Sequence, residues 1–430
     1  MKRSILNLFT SVAFSLMLVA ATILLAAAST MAQCSEVVSG LRTPSGITQS
    51  NQNNLIVSEA GTLGGLNSGR ISIVDPQGGR RTLVNGLPSA TSDVGDPAGP
   101  SGVFMRGRTL YLVMSVGNTF LPGGIPNPNP ASPIFSSLLA IHFSAAVEKT
   151  TTGFTLTPGN QQTLADGGKV TLSNGSGRIK IELIANFPDF TIDPTTPSGF
   201  RNVNPFDVVV VENQAYVTDG GQNLVWQVDI ATGTFSPLAT FPRIPNPLFN
   251  PAPPPPGIGG PFLEAVPTGI RYFDGHLLVT LFRGFPFPPG VSVVEQIDPL
   301  TGNHSPLITG LRTAIDVLPL EGHYLVLQHT SGTTILPPFI TAPGLVLDFA
   351  TPAGPPTVVT NCLTRPTSMT YDERTGLLYV TELGGRVVEV AGASPASPAF
   401  SNSWSLGTSS LFRSSLRAVQ NRIRAKVQPD

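Results

Sequence analysis

Short apolar runs of roughly four to eight residues, rich in Val, Ile, Leu, Tyr and Thr, recur along this 430-residue chain between clusters of Gly, Pro, Asn and Asp. Pleated strands favour such residues, and such punctuation marks tight turns. Four runs in order make one unit. The first reads Pro44-Ser45-Gly46-Ile47, then Leu55 to Gly61, Arg70 to Asp75 and Arg81 to Leu87. The same order returns with the openers Pro100-Ser101-Gly102-Val103, Pro205-Phe206-Asp207-Val208, Pro267-Thr268-Gly269-Ile270, Ala314-Ile315-Asp316-Val317 and Pro366-Thr367-Ser368-Met369. A β-sandwich has no need of one four-part order six times, whereas a radial ring of blades does. The pattern therefore predicts an all-β fold, a six-bladed β-propeller of four-stranded antiparallel blades, over residues 33–393.

The sixth unit lacks a fourth strand of its own. Ser35-Glu36-Val37-Val38-Ser39-Gly40-Leu41, ahead of the first opener, resembles the fourth strands elsewhere. An N-terminal strand completing the last blade would pair both free edges, which predicts Val37-Val38 beside Val387-Val388. Two segments fall outside this scheme. Ser144 to Lys180 is a polar insertion in the second unit, read as a hairpin or mobile loop. Residues 394–430 form a tail in which Phe412, Leu416, Val419, Ile423 and Val427 recur at helical spacing among basic residues, a pattern open to a surface-lying amphipathic helix or to packing on the domain.

Composition narrows the class. Charged residues make up 12% of the chain and the formal net charge is −1, so electrostatics give no reason to expect nucleic-acid binding. Lys2 and Arg3 precede an uncharged apolar stretch, Ile5 to Ala28, and Thr30-Met31-Ala32 offers small residues for a signal peptidase. Residues 1–32 are thus expected to be a signal peptide and the mature chain secreted or periplasmic, with no transmembrane segment after cleavage; the stretch is also long enough to span a bilayer uncut. Export makes a disulfide between the two cysteines, Cys34 and Cys362, the default thought. Geometry points the other way: neighbouring outer strands lying level would hold them about 20 Å apart, at ~3.3 Å per residue over six residues.

Strand alternation places the start of each first strand, the end of each second strand and the longest loops on one face. Those loops are Asn118 to Pro133, Phe285 to Pro289, Thr333 to Pro343 and the proline-rich Arg243 to Pro261. Binding residues concentrate on such loops, although loops can also simply cover a channel. The openers align Gly46, Gly102, Asp207, Gly269, Asp316 and Ser368 in a ring whose small members should leave the channel mouth open to two carboxylates. Arg42, Arg201, Arg312 and Arg365 lie just upstream, and Glu59, Asp219, His329 and Glu382 close second strands on the same face. Converging charges in a concavity suggest a ligand site; Asp capping turns and Arg–Glu surface pairs are the plainer reading. No catalytic residue stands out. The chain has no His-Glu-x-x-His helix, Gly-x-Ser-x-Gly elbow or phosphate loop.

Val203-Asn204-Pro205-Phe206-Asp207-Val208 with Ala215 to Gly221, and Val266 to Ile270 with Arg283-Gly284-Phe285-Pro286-Phe287-Pro288, resemble the ScyD/ScyE-type propellers of scytonemin-biosynthesis clusters. More distantly the chain is similar to the NHL, strictosidine-synthase and SMP-30/gluconolactonase propellers. The resemblance implies the fold and an exported location without a settled reaction. Gluconolactonase-like enzymes hold a channel metal through an acidic residue before the first inner strand, where this chain has Arg42-Thr43-Pro44. Two functional expectations follow. One is a cofactor-free protein binding a small organic or peptide ligand, or a protein partner, at the long-loop face through Asn204, Asp207, Asp316 and the flanking charges. The other is a Ca- or Zn-dependent hydrolase of lactonase type with Asn204, Asp207 and Asp316 as metal ligands.

Overall fold

A computed structural model describes residues 32–251, 257–320, 322–332 and 343–391. The expected signal peptide, the tail and parts of two long loops lie outside the described residues. Six antiparallel sheets stand in a ring. Their innermost strands are Pro44–Gln49, Pro100–Arg106, Pro205–Val211, Pro267–Phe273, Ala314–Leu320 and Pro366–Asp372. Each innermost strand touches its neighbours in the adjoining blades, so the openers read from sequence line a common axis. Local chemistry sets the turns: Asp274 and Gly275, both at positive φ (48° and 81°), join Phe273 to His276, as a two-residue hairpin requires. Apolar side chains of facing blades interlock. Val217 and Trp226 of blade three, for example, pack with Val113 and Leu138 of blade two, and Phe187 stacks on Trp226 at 5.5 Å.

The chain's own beginning completes blade six. Strand Cys34–Val38 runs antiparallel to Arg386–Val390, pairing Glu36 with Val388 and Val38 with Val387 across a bulge at Val37. The predicted closure is therefore observed, and the bulge absorbs the odd residue of the register.

Cys34 and Cys362 are joined in a disulfide with Cα atoms 6.1 Å apart, against the 20 Å expectation. Twist supplies the reason. Each strand pair rotates by roughly 20–25°, so after three pairings an outer strand has turned well toward the ring's circumference. The start of one outer strand then meets its neighbour instead of running level with it. Ala32 N donates to Val359 O at 2.9 Å, and Thr360 Oγ1 donates to Ala32 O at 3.0 Å. These bonds bring Cys34 of blade six over the outer strand of blade five, Thr357–Leu363.

The insertion in blade two includes the expected hairpin, Lys169–Asn174 with Gly177–Asn186, but also two short helices, Ala145–Thr150 and Pro158–Ala165. Between them Phe154–Thr155 adds a parallel strand beside Val84 and Asn85 of blade one. Fully buried Glu148 ties the insertion down, accepting from Arg108 Nη2 at 2.6 Å and Asn54 Nδ2 at 2.8 Å. The mobile-loop alternative is thereby replaced by an ordered strap across blades one and two. No helix among the described residues is long and apolar enough to cross a membrane.

Candidate functional site

Along each innermost strand the chain runs from the mouth of the ring toward its throat, and successive residues do different work. The ring positions lie at the throat. A Cβ on Gly102 would stand 2.4 Å from Asp207 Cα, and one on Gly269 would stand 2.7 Å from Asp316 Cα. Their small size therefore lets adjacent innermost strands touch and does not widen the opening.

Asp207 and Asp316 meet one residue that sequence reading missed. Arg271, two positions beyond Gly269, donates from Nη1 to Asp207 Oδ2 at 2.9 Å and from Nη2 to Asp316 Oδ2 at 2.6 Å. The same guanidinium reaches Met369 O at 3.2 Å. Backbone amides complete the set: Ile270 N donates to Asp207 Oδ2 at 3.2 Å, and Met369 N donates to Asp316 Oδ2 at 2.9 Å. Blades three to six are thus cross-tied at the axis through buried charge. Burial, with the Asp207 charge close by, pushes the Asp316 carboxyl up to about 6 despite the opposing guanidinium. A lone arginine in an apolar strand was the available signal, since buried cations need partners.

The residues closing second strands form a repeated clamp. Arg42 N donates to Glu59 Oε2 at 2.6 Å, Asn204 N to Asp219 Oδ1 at 2.9 Å, Arg312 N to Gln328 Oε1 at 2.8 Å, and Thr364 N to Glu382 Oε1 at 2.6 Å. In four blades, then, the side chain ending strand two holds the backbone that leads into strand one. Glu59 also takes Arg70, Glu382 takes Arg386, and Asp219 takes the Trp226 indole N–H at 2.9 Å. Burial raises the Asp219 pKa while these donors pull it down. In blade five Gln328 does the clamping, which leaves the next residue, His329, available to the mouth.

The mouth holds a cavity of about 420 Å³. Its wall includes Phe206 and Ile315, the residues just before the throat aspartates, with Ser45 and Ser101 at the same position in blades one and two. Asn204, His329 and Arg365 line it, as do Phe282, Asp93 and Asp96. Asn204 Oδ1 accepts from Val116 N at 3.2 Å. His329 is buried, its Nδ1 lies 2.8 Å from Pro366 O, and burial lowers its pKa to about 4, so it is neutral at pH 7. Because a carbonyl can only accept, Nδ1 carries the proton and Nε2 is left as an acceptor. Burial raises the Asp93 carboxyl. Among the described residues Asp93, Asp96 and Arg365 form no ion pair. Asp93 and Asp96 sit on the loop joining blades one and two, around the short hairpin Ala90–Thr91/Pro97–Ala98. A pair of aspartates in a fourth-to-first-strand loop was the sequence signal for them.

Of the remaining expected residues, Arg42 turns outward, its Nη1 3.3 Å from Ser68 O. Buried Arg312 donates from Nε to Phe287 O at 3.1 Å, and Arg201 pairs with Asp193 and Glu264 at 3.1 and 3.0 Å. A calcium or zinc ion does not suit the expected trio: a guanidinium stands between Asp207 and Asp316, and Asn204 Oδ1 is spent on Val116 N. Among the described residues no three His, Cys, Asp or Glu side chains gather as metal ligands.

These features define a six-bladed propeller with a charge-tied throat below an open mouth. No protein-family model matches the chain, and no curated protein does. Among solved structures, the chain is similar to a protein from Thermus thermophilus described as an oxidoreductase (glucose dehydrogenase), at 14% identity and a TM-score of 0.45, covering 84% of this chain and 99% of the other. It is also similar to a gluconolactonase from Xanthomonas campestris, at 10% identity and a TM-score of 0.45, covering 84% and 89%.

Proposed function

We propose that this chain is an exported binding protein of the ScyD/ScyE type that holds a small organic or peptide ligand in the mouth of its ring. The observation that supports this reading is the mouth cavity itself. Its volume suits a small molecule, it has apolar walls at Phe206, Phe282 and Ile315, and its charged side chains form no ion pairs among the described residues. Asp96 and Arg365 are exposed and Asp93 is half-buried, so all three charges are accessible to a ligand of opposite charge entering the cavity. The disulfide fits an oxidising compartment. The hydrolase reading has less support, because the throat carboxylates are committed to Arg271.

Ser45→Phe tests the proposal. Blade three already carries Phe206 at this position, so the scaffold accommodates the ring, and in blade one it would fill the cavity. Ligand-observed NMR with a diverse fragment library should find binders of the wild-type protein that Ser45→Phe no longer retains. Fragments that bind both proteins equally, or no binders at all, would remove the mouth as a ligand site.

A further inference from the structure

We infer that the mouth cavity selects ligands carrying a positive and a negative end on an apolar body, of which a free apolar dipeptide is a simple member; this rests on the mouth being a ligand site. The two signs come from different loops. Asp93 and Asp96 belong to the segment between blades one and two, and Arg365 to the turn leading into blade six. His329 lies within electrostatic reach of both Asp96 and Arg365, and all three side chains line the same cavity. Asp96 and Arg365 are nevertheless not within 4 Å of each other. Both line the cavity without a direct ion pair, so each can still meet an opposite charge on a ligand.

The formal sum over these groups is one negative charge, from two aspartates and one arginine. A purely anionic ligand would leave both carboxylates facing it, and a neutral one would desolvate all three charges without pairing any. An ammonium has three donors and can serve both aspartates, while a carboxylate matches the forked guanidinium. Between these ends Phe206, Phe282 and Ile315 offer apolar surface. Ser45, Ser101 and the Nε2 acceptor of His329 supply polar contacts suited to an intervening amide. The throat aspartates do not compete for the ammonium, since Arg271 already binds them.

Isothermal titration of the wild-type protein with phenylalanyl-phenylalanine, its N-acetyl form and its C-terminal amide tests this without any substitution. The free dipeptide should bind, and each capped form should bind about tenfold more weakly. Arg365→Gln should then abolish the penalty for the amide alone, and Asp93→Asn with Asp96→Asn the penalty for the acetyl form alone. Equal affinity for the three peptides would overturn the charge selection. So would failure of all three while fragments still bind in a manner that Ser45→Phe abolishes, an outcome that leaves the binding site standing. Absence of both peptide and fragment binding would remove the site as well.

Discussion

Mouth and throat lie a residue apart along the same strands, yet they treat charge in opposite ways. In the throat each carboxylate is met: Asp207 and Asp316 share Arg271 and accept backbone amides at 3.2 and 2.9 Å. At the mouth Asp93, Asp96 and Arg365 line a cavity without ion pairs among the described residues. Paired buried charge fixes geometry, whereas the mouth charges are exposed or half-buried and stay open to solvent. The lesson is that a charge converging on an axis is no guide to binding until its partner is known.

The throat should break first. Arg271→Ala leaves two carboxylates buried side by side and should cost about 3–5 kcal/mol, measured by urea unfolding at pH 7. A loss below about 1 kcal/mol would mean that the axis does not depend on this pairing.

pH should separate the regions next, with opposite signs. Asp316 titrates near 6 when folded and near 3.8 when unfolded, so the folded state binds its proton more readily. Its contribution grows as pH falls from about 6 toward 4 and is lost as pH rises through 6. His329 has a folded pKa of about 4 against an ordinary 6.5, so the unfolded state takes up the proton. Its contribution is complete above pH 6.5 and is lost as pH falls toward 4. Relative to wild type, Asp316→Asn should therefore lose ground on acidification and His329→Gln should gain it. Each difference is on the order of 2–3 kcal/mol across that window, read from unfolding curves at stepped pH. Differences of the same sign would dissolve the contrast.

The smallest effect belongs to the mouth. Asp96→Asn and Arg365→Gln should each change stability by no more than about 0.5 kcal/mol, as thermal unfolding would show. A large loss would reveal partners holding these side chains and return the mouth to the scaffold.

Much of the ring was legible because it repeats. Val37-Val38-Ser39-Gly40-Leu41 could be matched to the fourth strands of other units, and the closing pair was found where it was expected. Repetition also held a clue that went unused. Glu59, Asp219 and Glu382 occupy one position in three blades, and a residue recurring blade by blade serves the blade, whereas a ligand group has reason to occur once. His329 and Asp93 are such singular residues. Arg271 stayed hidden because its partners lie 64 and 45 positions away and meet it only once the ring has closed. The disulfide was misjudged for a related reason: twist accumulates over three pairings and has no trace in the spacing of one strand.

Left-handed residues show the limits of strain as a signpost. Thr43, Val266, Thr313 and Arg365 all precede an innermost strand with φ between 45° and 53°, a region costly for β-branched side chains. Two of them line the mouth cavity, but the same twist recurs at Val266 and Thr313, which do not. The strain belongs to the turn from one blade into the next, and the mouth inherits it.

The bond between Cys34 and Cys362 has a mechanical consequence. Strand Cys34–Val38 is held to Arg386–Val390 by ladder hydrogen bonds and by the packing of Val37 and Val38 in the cluster around Val387, contacts that a pull from upstream could open one after another like a zip. The sulfur bridge sits at the first residue of that strand and leads into blade five, so tension applied ahead of Cys34 is carried into a neighbouring sheet before it reaches the seam. A tether placed at that end of the ring would load a covalent crossbeam and leave the closure at rest.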